Sequence, residues 1–150
     1  MQKNGLDHRS REIKVGFWIG GISTFLLLSF FIVPLYLPEG SVPKLSGRAN
    51  AFDYHSEDGW GNQQITEGAD VGHNQSKYGE FVWSELDPYA AFIYGFGDLN
   101  CHTKAERSWE INDNQMPVCV RDVGIFLGIA IGGFLFSRKG FNRWTIRDTF

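Results

Sequence analysis

The chain has 150 residues, a net charge of −3 at neutral pH, 15% aromatic residues and two cysteines. This length allows one domain, and the weakly acidic balance gives no indication of a nucleic-acid partner. The apolar residues are concentrated in two segments around a polar middle, a distribution typical of membrane proteins.

The first apolar segment, residues 15–37, predicts a transmembrane helix. It reads VGFWIGGISTFLLLSFFIVPLYL without a charge, and about 20 apolar residues are enough to cross the hydrocarbon layer. The basic residues of the preceding segment, 1–14, also fit a secretory signal. However, the run is longer than a signal core and ends without a small-residue cleavage site. We therefore expect an uncleaved helix.

Residues 38–80 predict an irregular acidic loop. They are rich in Gly, Asn, Asp, Ser and Gln and show neither a helical nor a strand period. Asn74 begins an Asn-Gln-Ser triplet, which makes it a candidate glycosylation site, although such triplets are also common by chance.

Residues 81–116 predict an amphipathic helix followed by a loop that carries a Cys-His motif. Asp87 is suited to cap the helix and Pro88 to occupy its first position. One face is apolar and aromatic, with the side chains of Tyr89, Phe92, Ile93 and Phe96. This face suits either the membrane interface or ordinary packing within the loop region.

The second apolar segment predicts another transmembrane helix, over residues 117–137. Its uncharged part, from residue 123, reads VGIFLGIAIGGFLFS, and a start at Pro117 extends it to spanning length. Gly124, Gly128 and Gly132 recur at every fourth position. This spacing predicts a face that allows close contact with another helix.

The distribution of charge predicts the orientation. Residues 1–14 carry four basic and two acidic residues, residues 138–150 carry four and one, and residues 38–122 carry six and fourteen. Positive flanks favour a cytoplasmic location for both termini, and residues 38–116 would then be extracytoplasmic. The predicted fold class is an all-α membrane protein, with two transmembrane helices joined by a long extracytoplasmic loop that contains an interfacial helix.

The two cysteines lie close to other groups that can bind metal. Cys101 is followed by His102, while Cys119 and Asp122 are three residues apart and share one face of a helix. Thiolate, imidazole and carboxylate ligands suit copper or zinc. Both cysteines are predicted to face an oxidising compartment, where a Cys101–Cys119 disulfide is the default; the metal site is the alternative, and free thiols are a third.

The sequence also resembles a family of small prokaryotic membrane proteins known only as a domain of unknown function. The resemblance is carried by Cys101-His102, by Glu106-Arg107-Ser108, by NQMPVC at residues 114–119 and by GIFLG at residues 124–128. The family signature runs approximately CHQxxxRSF and then NQMPVCARCTGIYLG. It implies a metal-binding or redox-active cysteine site at a membrane surface. In this chain Asp122 occupies the position of the family's last cysteine and Thr103 that of its glutamine, which favours the disulfide.

The acidic loop and RSWEINDNQMPVCVRDVGIF are most similar to versions found in ammonia-oxidising archaea. This resemblance implies a partner, the copper ammonia monooxygenase of those organisms, which is built from several helical membrane subunits. We therefore expect a non-catalytic accessory subunit that contacts lipid and other helical subunits. The alternative is a copper or zinc protein, or a redox protein, that uses the cysteine cluster.

Overall fold

The structure, a computed structural model, describes residues 9–63 and 75–138. Three α-helices dominate: α1 (Arg9–Tyr36), α2 (Pro88–Asn100) and α3 (Val120–Ser137). Two short strands, β1 (Glu110–Ile111) and β2 (Asn114–Gln115), pair in antiparallel register. Single 3₁₀ turns occupy Gln75–Lys77, Trp83–Glu85 and Ala105–Arg107. The mainly helical prediction is confirmed.

Two helices are long and apolar enough to cross a membrane. They cover Arg11–Tyr36 and Val120–Ser137. These agree with the predicted segments 15–37 and 117–137, except that the second helix begins at Val120. At this helix start the Cys119 backbone N–H, which has no acceptor within the helix, bonds to the sulfur of Cys101.

The chain divides into two compact units. Within the described residues, the first, here called the helix-pair unit, contains residues 9–27 and 124–138. The second, the connecting unit, contains residues 28–63 and 75–123. The asparagine predicted as a glycosylation site, Asn74, lies outside the described residues.

The helix-pair unit is closed by glycines that bring two backbones together. A Cβ atom on Gly133 would lie 2.6 Å from the Gly20 nitrogen and 2.8 Å from the Gly16 carbonyl oxygen. The rings of Phe17 and Phe134 meet edge to face beside this contact, with centroids 6.0 Å apart. Contact at this range is what small residues permit between transmembrane helices.

The glycines predicted to pack helices do not make this contact. A Cβ atom on Gly124, Gly128 or Gly132 would meet no described atom within 4 Å. Neighbouring residues of a helix point about 100° apart, so Gly132 faces away from α1 when Gly133 faces it. A role for the three glycines in contact with another protein stays a prediction.

Helix α2 has the predicted start. The Asp87 carboxylate accepts the backbone N–H groups of Tyr89 and Ala90, and Pro88 is the first helical residue. The buried face comprises Ala90, Ile93, Tyr94, Gly95, Gly97 and Asp98. Of the predicted apolar face, Ile93 is buried, Tyr89 and Phe96 are half-buried and Phe92 is 57% exposed. The helix therefore packs into the connecting unit, and its position at a membrane interface stays a prediction.

Asp98 holds three parts of the connecting unit together. Its Oδ2 accepts the backbone N–H of Tyr54 and the indole N–H of Trp83, each at 2.9 Å. Its Oδ1 is buried without a hydrogen-bond partner among the described residues. Burial raises the pKa of Asp98 to about 6, and the two hydrogen bonds offset part of that rise.

In the region before residue 50, two neighbouring amide side chains supply hydrogen bonds that a helix or strand would otherwise provide to the backbone. Asn114 is fully buried; its Nδ2 donates to the carbonyls of Pro34 and Pro38 at 3.0 Å, and its Oδ1 accepts the Val42 N–H at 2.8 Å. In a continuing helix the Pro34 carbonyl would accept the N–H of residue 38, but that residue is proline and has none. Asn114 therefore satisfies the end of α1.

Gln115 does the same for the next stretch of chain. Its Oε1 accepts the Leu45 N–H at 2.7 Å and its Nε2 donates to the Thr103 carbonyl at 2.8 Å. The Tyr94 hydroxyl donates to the backbone carbonyl of Gln115 at 2.8 Å. Through these bonds the predicted irregular loop becomes an ordered layer over α2 in the part that the structure describes.

Candidate thiol and carboxylate site

Two thiols and one carboxylate come together at the end of the hairpin. The side-chain ligand atoms of Cys101, Cys119 and Asp122 all lie within 4.8 Å of one another. The Cys119 thiol donates to Oδ2 of Asp122 at 3.2 Å, and the Cys119 backbone N–H points to the sulfur of Cys101, also at 3.2 Å. Both cysteines are buried free thiols.

The local chain path explains this meeting. Cys101 follows the last residue of α2 and donates its backbone N–H to the Gly97 carbonyl. The chain then turns back at Asn112 and Asp113, both with positive φ, between β1 and β2. Positive φ at both central residues matches the twist of a two-residue hairpin. A tight turn therefore brings the chain back towards Cys101.

A close backbone approach fixes the other side of the site. The Pro117 carbonyl lies against Gly97 so closely that any Cβ on this glycine would overlap it. Gly97 is in the last turn of α2, and Pro117 is two residues before Cys119. Only glycine allows the chain after β2 to pass this close to α2, and this path places Cys119 beside Cys101.

The surroundings favour a protonated thiol at Cys101. Burial raises the pKa of Cys101 well above the usual thiol range, and the neighbouring Asp122 carboxylate raises it further. Thiols of this kind are poor nucleophiles. A bound cation would reverse this balance, because metal coordination deprotonates thiols.

Three of the four predicted metal ligands are therefore assembled, and His102 is not among them. His102 is exposed. Its backbone carbonyl, and not its imidazole, contacts the site, where it is a weak acceptor for the Cys101 thiol at 3.4 Å. The backbone is extended after Cys101, so successive side chains point in opposite directions. The adjacent imidazole consequently points away from the thiol cluster.

The donor set suits a thiophilic ion if the ligand atoms move closer together. In a tetrahedral shell, ligand atoms about 2.3 Å from one ion are about 3.8 Å apart, whereas the three ligand atoms here lie within 4.8 Å of one another. Two thiolates suit zinc or copper(I), and a carboxylate suits zinc. The same two thiols could instead be oxidised to the predicted disulfide, which stays a prediction.

Residues 101–148 match the family model described as "Predicted membrane protein (DUF2085)". The predicted resemblance is confirmed. The matched segment begins at Cys101 and includes the hairpin, the thiol and carboxylate site and α3. Together with the two candidate spans, the match supports a membrane location and is consistent with a helical membrane protein.

No curated protein and no solved structure matches the chain. The family description names a membrane location and no activity. The link to ammonia monooxygenase therefore stays a prediction that rests on the resemblance.

In the amino-acid sequence, Asn114 and Gln115 are distinguished only by their place in the family motif. In the structure they are buried amides that anchor the chain around the site. The only signal for them was their place in the NQMPVC stretch, since amide residues are mostly exposed. Part of this motif therefore maintains architecture rather than chemistry.

Proposed function

We propose that the protein is a non-catalytic membrane subunit that helps to assemble or stabilise a larger membrane enzyme. The observation that carries this proposal is the open glycine face of α3. Gly124, Gly128 and Gly132 form one continuous row, and none has a described atom near the position of its missing Cβ. The intramolecular contact with α1 uses Gly133 instead.

In a bilayer, a row of small residues is a better indicator of a protein partner than exposed leucines or phenylalanines are. Lipid chains cover large apolar side chains as well as a protein does, whereas a glycine groove gains most from the close packing of a second helix. Because the groove lies on a different face from Gly133, a further helix can dock without displacing α1.

The connecting unit supports the same role. Its buried polar side chains, among them Asn114, Gln115 and Asp98, are bonded mainly to its own backbone and rings. They build a shaped polar layer from a segment with little regular secondary structure. Such a layer suits a covering domain that contacts a neighbouring subunit.

Resemblance supplies the identity of the complex that we propose. The similarity of the acidic loop and the segment 107–126 to versions in ammonia-oxidising archaea indicates the copper ammonia monooxygenase. With both termini cytoplasmic and residues 38–116 extracytoplasmic, the acidic loop would contact extracytoplasmic domains of neighbouring subunits. Protease treatment of intact cells should then cleave within residues 38–116 and leave both termini protected.

The test is gentle detergent extraction of the native complex, followed by identification of the proteins that migrate with this chain. We expect stable association with helical membrane subunits. Gly128→Leu should reduce the recovery of partners at least tenfold, whereas Gly21→Leu is a matched control because Gly21 also has open space around it. Recovery of the wild-type chain as a lone monomer would contradict the proposal.

The assembled thiols and carboxylate favour a second candidate function, a copper or zinc site or a redox site. Metal analysis of the purified chain should then find one ion per chain, lost in Cys119→Ser and retained in His102→Ala, the latter because His102 lies outside the cluster. Mass measurement with and without reductant tests the redox form, since a disulfide lowers the mass by two hydrogens. Reduced, metal-free wild-type protein from an intact membrane preparation would exclude both forms.

A further inference from the structure

A cavity of about 360 Å³ lies beside the first turn of α3. Two arginines, Arg107 and Arg121, line it together with Glu106, Ser108 and Trp109. The cavity also reaches Cys119, whose side chain otherwise belongs to the thiol and carboxylate site. Its size is sufficient for a small organic headgroup rather than for one water molecule.

The charges of the lining favour an anion. Two guanidinium groups face one carboxylate, that of Glu106. Within the part of the chain that the structure describes, Arg107 has no ion-pair partner. Arg121 has only a long contact of 3.8 Å with Asp122, and its side chain is 65% exposed. Both guanidinium groups are therefore available to a ligand.

Ser108 provides a second and independent indication. Its hydroxyl oxygen is buried and has no hydrogen-bond partner among the described residues. Buried hydroxyls are normally bonded, and rotation of the Ser108 side chain would let its hydroxyl donate to a ligand oxygen in the cavity that this residue lines. An arginine pair and a hydroxyl form a donor set suited to a phosphate group.

The position of the cavity indicates the source of the phosphate. Val120 and Arg121 open α3, whose 18 residues carry no charge after Asp122, so the first turn lies at headgroup depth when α3 crosses a bilayer. Trp109 is 48% exposed and its ring centroid is 6.1 Å from that of Phe31 in α1. Half-exposed tryptophans beside a transmembrane helix are typical of the interface.

We propose that this cavity binds the phosphodiester of an anionic phospholipid. The two arginines bind the phosphate oxygens, Ser108 donates to one of them, and Trp109 covers the glycerol. The acyl chains begin beside the exposed apolar side chain of Val120 in the first turn of α3. The lining carries one excess positive charge, which selects a singly negative headgroup over a zwitterionic one.

The experiment is native mass spectrometry of the purified full-length chain, titrated with phosphatidylglycerol or with phosphatidylcholine. We expect one retained phosphatidylglycerol and at least tenfold weaker binding of phosphatidylcholine. Arg107→Gln and Arg121→Gln should each weaken phosphatidylglycerol binding about fivefold, the effect of one basic residue at a membrane surface. Lys77→Gln removes the same charge outside the cavity and should leave the binding unchanged.

Ser108→Ala separates a built site from a general electrostatic attraction, because it removes one hydrogen bond without changing the charge. We expect it to weaken phosphatidylglycerol binding about threefold. Equal retention of the two lipids, or equal effects of Arg107→Gln and Lys77→Gln, would overturn the proposal. Displacement of the lipid by millimolar inorganic phosphate would also overturn it, because the site would then be one for a free anion.

Discussion

The helix-pair unit and the connecting unit satisfy their backbone groups in different ways. In α1 and α3 the backbone N–H and carbonyl groups bond to each other within the same helix. The side chains therefore determine only how closely the two helices approach. In the connecting unit, long stretches such as residues 38–50 have no helix or strand to supply partners. Amide side chains from distant residues provide those bonds instead.

The difference agrees with the prediction that α1 and α3 cross a membrane while the segment between them lies in water. A hydrocarbon layer forces every backbone group to be satisfied within the segment, and regular helices do this without help from other residues. An aqueous region imposes the rule only where the chain is buried. The connecting unit can therefore contain irregular chain, but its stability depends on a few side chains such as Asn114 and Gln115.

In both units a glycine lies where two backbone segments are in close contact. Substitution of the glycine in the connecting unit is expected to lower the free energy of unfolding the most. Gly97→Ala places a Cβ into the Pro117 carbonyl, where no flexible side chain can move away. We expect a loss of about 3 kcal/mol or more in the free energy of unfolding. Chemical unfolding followed by tryptophan fluorescence measures it.

Gly124→Ala is the control for this substitution, because its Cβ would meet open space. It should be neutral or slightly stabilising, as alanine favours a helix over glycine. Equal effects of the two substitutions would show that the close crossing at Gly97 does not exist.

The second substitution tests whether one amide side chain holds irregular chain in place. Asn114→Asp keeps the acceptor for Val42 but removes the donor to Pro34 and Pro38, and it sets a carboxylate against two carbonyls. We expect a loss of about 3 kcal/mol, because the site is fully buried. The measurement is the same unfolding titration.

Asn100→Asp provides the comparison for Asn114→Asp. Asn100 is exposed and makes one bond to the carbonyl of Phe96, so its loss should cost less than about 1 kcal/mol. A similar cost at both positions would mean that the connecting unit does not rely on Asn114.

A matched pair of neighbouring glycines tests the helix-pair unit. Gly133→Ala would push α1 and α3 apart, because its Cβ would lie 2.6 Å from the Gly20 nitrogen. We expect a destabilisation of about 2 kcal/mol and a longer distance between spin labels on the two helices. Gly132→Ala, one residue earlier, should change neither quantity. An unchanged distance in Gly133→Ala would contradict the observed packing.

The smallest effect is a pH dependence confined to the connecting unit. The pKa of Asp98 is raised to about 6, above its usual value, so the folded chain favours the neutral acid. Its contribution to stability is fully present below about pH 4 and is lost as the pH rises through about 6. We expect a loss of about 1 kcal/mol over this range, reduced from the full shift by partial solvent screening.

Asp98→Asn isolates the effect of Asp98 ionisation on stability, because the asparagine does not titrate and its amide oxygen can still accept the N–H groups of Tyr54 and Trp83. The thermal midpoint of the wild type, relative to that of Asp98→Asn, should fall between pH 4 and pH 7. A difference that is independent of pH would show that Asp98 is ionised in the folded chain at both ends of the range.

Local features of the sequence predicted most of the helical framework. Two uncharged apolar runs gave both candidate spans, and Asp87-Pro88 gave the start of α2, because spanning length and helix capping depend on residues close together in the chain. The three-residue spacing of Cys119 and Asp122 likewise predicted their contact. The same reasoning missed which face of α2 is buried, since the hydrogen bonds of Asp98 draw a charged residue inward.

The amino-acid sequence by itself thus determined a helical membrane protein with an irregular segment between its two spans. Only the tertiary structure decided that Gly133 rather than Gly132 closes the helix pair, that Asn114 and Gln115 are core residues, and that His102 points away from the thiols. Each of these depends on partners at a distance in the chain. A residue's type and spacing do not specify which remote backbone group it will meet.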